Sequence, residues 1–198
     1  DQVADEALWV NYKSYGSFLI EASATSSFPT YDGSTWTNGW MSGGAAVAPN
    51  KMLIGPTAFF KGRVYTSPNS GTVCYGDVGQ ISGTMPYTFN VRDIFTYDKN
   101  IAFMASFSMS DGASENQDYL AFGNLSGEIL IYSGDYPDSS SWKLAGKFKL
   151  SEVLGFRRNL NNISIGNDVY IMTKSSLVSL RDLMIRGNEL AIHDSISK

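Results

Sequence analysis

The chain has 198 residues, enough for one sizeable core. Its 43% hydrophobic content, 17% charged content and 19 glycines describe a packed, turn-rich protein and exclude a largely disordered one. A formal charge of −4, with no basic cluster longer than Arg157 and Arg158, argues against a dedicated nucleic-acid binder, because phosphate affinity needs concentrated positive charge.

In chain order the first predicted element is a hairpin: Leu8 to Tyr12, a turn at Ser14 to Ser17 containing Gly16, then Phe18 to Ala22. The same design recurs as Arg63 to Thr66, a turn ending at Gly71, then Thr72 to Tyr75. It returns as Tyr119 to Phe122, the turn Asn124 to Gly127, then Glu128 to Tyr132. A fourth copy is Val169 to Met172, the turn Lys174 to Ser176, then Leu177 to Leu180. The turn glycines Gly16, Gly71 and Gly127 lie about 55 residues apart and the fourth turn about 48 further on, near the period of propeller repeats. A second, less regular echo places Tyr31 to Trp36 beside Tyr132 to Trp142, each an aromatic strand end leading through a polar turn into Trp.

Between the hairpins, Ile101 to Met109 and Trp142 to Leu150 alternate as strands with one buried face. Each repeat then holds about four strands, the content of one propeller blade. No segment before residue 150 has the 3.6-residue periodicity of a long amphipathic helix; Leu177 to Ile192 has room for a short one, interrupted at Gly187 and Asn188. The expected fold is all-β, a propeller-like repeat of about four blades, with a β-sandwich as the alternative. Blades need neighbours to cover their faces, so residues 1–198 read as a single or partial propeller region of a larger ring, completed by further residues or by another copy of the chain. Because the chain starts at Asp1 rather than Met, it is expected to be a processed product or part of a longer chain. No apolar run of about 18 residues and no charged-then-apolar leader is present, so neither a membrane span nor a signal peptide is expected.

Several residues could carry chemistry, and each has a plainer role. Cys74 reads as a small apolar strand residue, and the lone His193 lacks the partners of a nucleophilic triad. The loop Ser110 to Asp118 carries Asp111, Glu115 and Asp118 and could grip Ca²⁺, but it departs from the EF-hand pattern and suits a solvated hairpin loop better. Asp32, Asp111, Glu128 and Asp135 are the carboxylates to weigh for glycoside hydrolysis; most sit in Gly- and Ser-rich turns that favour Asp for backbone reasons. Trp36, Trp40 and Trp142 could stack on sugar rings, while aromatics also build strands and blade interfaces. Gly39 to Gly44 lacks the Lys of a phosphate loop. No catalytic site, metal site or cofactor is therefore expected.

Tyr31-Asp32-Gly33-Ser34-Thr35-Trp36, the segment Phe60 to Tyr65 with Tyr75 and Ile81-Ser82-Gly83-Thr84, and Gly127 to Pro137 followed by Trp142 and Leu144 to Gly146 form an ordered series. Gly166 to Thr173 completes it, with Asn167 where a second Gly is usual. In pattern and order, over residues 7–198, this series resembles the β-propeller hub, stopper or nozzle components of short-tailed bacteriophages. The resemblance implies a non-enzymatic virion protein of the phage tail or head-tail connector, assembled with itself in a cyclic ring beside other tail or adaptor proteins. It also implies a role in retaining or passing the genome, for which a slightly acidic lumen would let DNA slide past without sticking.

Overall fold

The computed structural model describes residues 8–12, 18–22, 28–31, 34–40, 56–67, 71–80, 85–110, 116–151, 162–174 and 176–187; within 8–40 it describes the course of the backbone, with side chains at Ser34 and Thr35 alone. These residues form four antiparallel sheets, each a meander in which sequential strands are neighbours. The first sheet contains β1 (Leu8–Tyr12), β2 (Phe18–Ala22), β3 (Phe28–Tyr31) and β4 (Trp36–Trp40). The second contains β5 (Thr57–Phe60), β6 (Arg63–Thr66), β7 (Thr72–Tyr75) and β8 (Tyr87–Asn90). The third contains β9 (Phe103–Ser110), β10 (Asn116–Gly123), β11 (Glu128–Ser133) and β12 (Lys143–Lys149), and the fourth β13 (Asn162–Ile165), β14 (Asp168–Met172) and β15 (Leu177–Ser179).

The recurrent hairpins all form, but they are not all equivalent. In the second, third and fourth sheets the repeated hairpin joins the second and third strands, β6–β7, β10–β11 and β14–β15. In the first sheet it joins the first and second strands, with Val10 opposite Ile20. The equivalent hairpin there is β2–β3, pairing Leu19 with Tyr31. The misalignment has a simple cause: any hairpin of a meander shows the same alternation, so period alone does not mark its position in the blade. The less regular echo marks it correctly. Tyr31 ends the third strand of its sheet and Trp36 opens the fourth; Tyr132 lies in the third strand of its sheet and Trp142 directly precedes the fourth.

The second, third and fourth sheets stack face to face in chain order, and the third sheet shows how. Met104, Leu120, Phe122, Leu130 and Tyr132 join one cluster with Ala58, Phe60, Tyr65, Val73 and Tyr75 of the second sheet. Their sequence neighbours Phe103, Ala105, Ala121, Ile129 and Ile131 join another with Val169, Ile171 and Val178 of the fourth. Strand side chains alternate between faces, so this division buries both faces of a single sheet. Each fully buried Leu, Ile or Phe contributes about 1.5–3 kcal/mol, and interface formation draws on both faces at once. A two-sheet sandwich gives each sheet one inner face, so this arrangement is that of stacked blades and not of the β-sandwich alternative. The expectation of one buried face for Ile101 to Met109 is corrected by the same observation. Ile101 to Ala105 are all buried, because the alternate positions carry Ala and Met, which are apolar as well.

First strands approach one another in sequence, β1 with β5 and β5 with β9, while β9 also meets β13 and β14. The last strands β8 and β12 are largely exposed along their length. This ordering, with first strands converging and last strands outermost, is the radial arrangement of a propeller.

After β15 the chain enters one short helix, α1 (Leu180–Arg186). Ser179 caps it, its hydroxyl accepting from the Asp182 N–H at 3.0 Å and donating to Asp168 at 2.6 Å. Gly187, with φ 56°, terminates it where the sequence placed its interruption. Leu180 and Leu183 face the cluster between the third and fourth sheets. Among the described residues, no helix is long and apolar enough to cross a membrane.

Candidate functional site

Trp142 is the one tryptophan candidate whose side chain is described, and it belongs to a blade interface. Its ring stacks on Tyr132 of the third sheet, with centroids 5.1 Å apart and planes 11° from parallel. Phe60 and Phe89 of the second sheet meet it edge-on at 5.9 and 5.8 Å. The indole is half-buried, and its Nε1 has no hydrogen-bond partner among the described residues. Trp36 and Trp40 lie in β4, paired with Tyr31 and Phe28. Their side chains lie outside the described residues.

Beside Trp142 runs a ladder of tyrosines. Tyr75 stacks between Tyr65 at 5.2 Å and Tyr87 at 5.1 Å, and its hydroxyl donates to Asp138 at 2.5 Å, linking β7 to the turn before β12. The Arg63 guanidinium covers the Tyr136 ring at 4.6 Å and donates to the Gly76 carbonyl at 2.8 Å. Burial raises the Tyr65 and Tyr75 hydroxyls well above the usual phenol range, with the neighbouring Asp138 adding to the effect at Tyr75. Tyr132 is pushed up to about 12 by burial. These phenols therefore stay protonated across the physiological range, the Tyr75 hydroxyl as a donor to Asp138.

Of the carboxylates weighed for hydrolysis, Glu128 and Asp135 are described and both are engaged locally. Glu128 is buried at the start of β11. Its oxygens accept from the backbone N–H groups of Thr96 at 2.8 Å and Tyr97 at 2.9 Å, and from the Asn124 side-chain amide at 2.9 Å. Burial favours the protonated form, but these donors outweigh it and hold the carboxyl below the ordinary glutamate range. A catalytic acid needs the opposite shift. Asp135 accepts from the Ser141 hydroxyl at 2.9 Å, and the Asp135 N–H donates to the same Ser141 oxygen at 3.1 Å, closing a turn. Asp32 and Asp111 fall outside the described residues, as does His193.

A polar cavity of about 270 Å³ opens where the second, third and fourth sheets meet, lined among others by Phe59, Lys61, Ser108, Asp118 and Asn167. Lys61 and Ser108 each reach one Asp118 oxygen at 2.6 Å. Burial raises the Asp118 carboxyl, but the Lys61 and Ser108 contacts outweigh it and leave it below the ordinary aspartate range. Asn116 to Asp118 are thus strand residues of β10, not part of a free acidic loop; Glu115 and Asp111 lie outside the described residues. The Ca²⁺ reading gains no support from Asp118, whose oxygens already have partners, and no group of three metal-capable residues occurs among those described. Cys74 is a fully buried thiol in β7, outside any disulfide, as its apolar strand context predicts.

The interface residues Asn124, Asp138 and Lys61 were not singled out by sequence reading. Asn124 carried a signal, since Asn opening a Gly-closed turn commonly bonds its own backbone. Asp138 and Lys61 carried none, because their partners lie in other sheets.

Stacked antiparallel meanders, three of four strands and one of three among the described residues, with converging first strands, define a β-propeller-like fold. No family model matches the chain, and no curated protein matches it. Among solved structures, the propeller of BBS1N in complex with ARL6DN, from a mercury-soaked crystal, is similar to this chain at 10% identity and a TM-score of 0.50, covering 88% of this chain and 49% of that one. A lead-soaked crystal of the same complex gives 10% identity and a TM-score of 0.47, with 87% and 48% covered. The chain spans about half the length of the propeller it resembles.

Proposed function

We propose that this chain is a structural propeller module of a bacteriophage tail, of hub, stopper or nozzle type, acting in tail assembly and in retention or passage of the genome. The observation that carries the structural reading is the use of chemically capable side chains in cohesion. Trp142 packs between two blades, Glu128 ties a turn to the loop before β9, and Asp118 ties the second sheet to the third. The virion assignment rests on the ordered series of motifs from Tyr31 to Thr173. Protein partners agree with both, and the propeller it resembles was itself crystallised with another protein, ARL6DN. In this reading the chain is non-enzymatic, forms a ring with itself and contacts neighbouring tail proteins. DNA passes it without sequence-specific binding, in keeping with the net negative charge.

Electron microscopy of native particles, with antibody raised against this chain, tests the reading. Label at the tail or head-tail junction is expected; label absent from particles would overturn it. A glycan-binding propeller is the second reading. It is favoured by Trp36 and Trp40 sharing β4, the last strand of the first sheet.

A further inference from the structure

The polar cavity is built from three sheets at once. The second sheet contributes the β5–β6 turn with Lys61, the third contributes Ser106 and Ser108 of β9 and Asp118 of β10, and the fourth contributes Asn167 in the β13–β14 turn. The Asn167 carbonyl accepts from the Ser108 N–H at 3.1 Å, which docks the fourth sheet's turn against β9 as one wall. At about 270 Å³ the space falls just under the range of about 300–1,000 Å³ that takes drug-sized ligands, and it suits a smaller metabolite.

Lys61 is an unusual residue for its position. Because Phe60 pairs with Arg63, Lys61 and Gly62 form a two-residue turn in which both have positive φ, 48° and 72°. Such turns favour Asn, Asp or Gly at the first position, since a longer side chain is strained there by about 1–3 kcal/mol. The Lys61–Asp118 pair, with side chains 39% and 37% exposed, returns at most about 1 kcal/mol. Cohesion therefore does not account for Lys at this place. What the residue adds is an ammonium at the cavity.

A cation and an anion thus stand side by side at 2.6 Å with bonding capacity to spare. Lys61 keeps donors beyond the one given to Asp118, and each Asp118 oxygen keeps a lone pair after accepting from Lys61 or Ser108. A ligand of one sign meets a like charge here and loses what it gains. A carboxylate and an ammonium on one carbon meet both at once, the carboxylate on Lys61 and the ammonium on Asp118, as charge-assisted bonds. Ser106 and Asn167 line the remainder, and among the described residues neither side chain is spent on a protein partner. Both are neutral donors and acceptors, matched to an amide or hydroxyl rather than to a further charge.

We infer that this cavity binds a free α-amino acid with a neutral polar side chain, its zwitterion read by Lys61 and Asp118 and its side chain by Ser106 and Asn167. The site lies within one chain and depends on neither ring assembly nor location in a virion, so it stands or falls separately from the proposed function.

Calorimetric titration of the 198-residue chain with L-glutamine and L-asparagine tests this. Saturable binding at a single site is expected. N-acetyl-L-glutamine lacks the ammonium and L-glutaminamide lacks the α-carboxylate. Each is expected to bind more weakly by on the order of tenfold, the loss of one charge-assisted bond. Lys61→Gly, which suits the turn, and Asp118→Asn should weaken L-glutamine binding to a similar degree, while Lys143→Ala on the exposed outer strand β12 leaves it unchanged. If Lys61→Gly fails to fold, Lys61→Asn keeps a residue that tolerates the turn and serves the same comparison. Absence of binding by both amino acids at millimolar concentration would overturn the inference, as would equal binding of the two blocked forms or an affinity indifferent to substitution of Lys61.

Discussion

Glu128 and Asn124 bond each other reciprocally: the Asn124 amide donates to Glu128 Oε2 at 2.9 Å, and the Glu128 backbone N–H donates to Asn124 Oδ1 at 2.9 Å. The pair closes the turn between β10 and β11, and the remaining carboxylate capacity reaches Thr96 and Tyr97 in the connection from the second sheet. Turn chemistry and sheet-to-sheet attachment are therefore one network.

Glu128→Gln is expected to lower stability at neutral pH by about 1–3 kcal/mol, since a buried charged acceptor is replaced by an amide whose NH₂ faces backbone donors. Urea denaturation midpoints at pH 7 check this.

The same carboxyl sets an acid limit. Its folded pKa is depressed, so its contribution is fully present above the ordinary glutamate value of 4.5 and is lost as pH falls below that, through the folded value. Thermal melts from pH 7 to pH 3 should show stability falling below about 4.5 in the parent and falling less in Glu128→Gln. Equal acid sensitivity in both would exclude Glu128 as its source.

Gly123 faces the Phe103 ring so closely that an added Cβ would overlap it. Gly123→Ala should cost about 1–3 kcal/mol through overpacking. Combining it with Phe103→Leu should cost less than the sum of the two single changes, because the space is shared. Denaturation of the four proteins in this cycle measures the coupling.

Trp142→Ala should destabilise by about 3 kcal/mol, the lower end of the cost of emptying an aromatic site, since the indole is half-buried. Under the structural reading a glycan array stays silent for the parent. Saturable binding lost on Trp36→Ala or Trp40→Ala would favour the glycan reading instead.

Lys61 holds a backbone φ of 48°, strained for a side-chain-bearing residue, while its ammonium pairs with Asp118. The ion pair is partly exposed and worth at most about 1 kcal/mol. Lys61→Gly should thus be nearly neutral, relieved strain offsetting the lost pair, whereas Lys61→Ala should lose up to about 1 kcal/mol. Melting curves of the two variants separate the terms.

Much of the fold was legible in the residues. Gly71, Gly127 and the alternating apolar runs around them mark hairpins because turn geometry and pleat are local properties. The assignment of Gly16 to the same position was not sound, since a first-to-second strand hairpin and a second-to-third one share all local features. The Tyr31-to-Trp36 and Tyr132-to-Trp142 echo was the better guide: both fall at the passage from third to fourth strand, and at Tyr132 and Trp142 ring stacking accounts for the pairing of residue types. Both-faced burial was written in the unbroken runs Leu120-Ala121-Phe122 and Ile129-Leu130-Ile131. The Lys61–Asp118 and Tyr75–Asp138 links stayed invisible, as each depends on how two separate sheets meet.

The stacking of sheets is tested most directly by a charge scan of consecutive positions in β10 and β11, substituting Asp singly for Leu120, Ala121, Phe122, Ile129, Leu130 and Ile131 and measuring the urea midpoint of each variant. With neighbours on both faces, all six substitutions are strongly destabilising regardless of parity. A period-two result, in which alternate positions tolerate Asp with little change, would mean that one face of the third sheet meets water and would contradict the stacked-blade account.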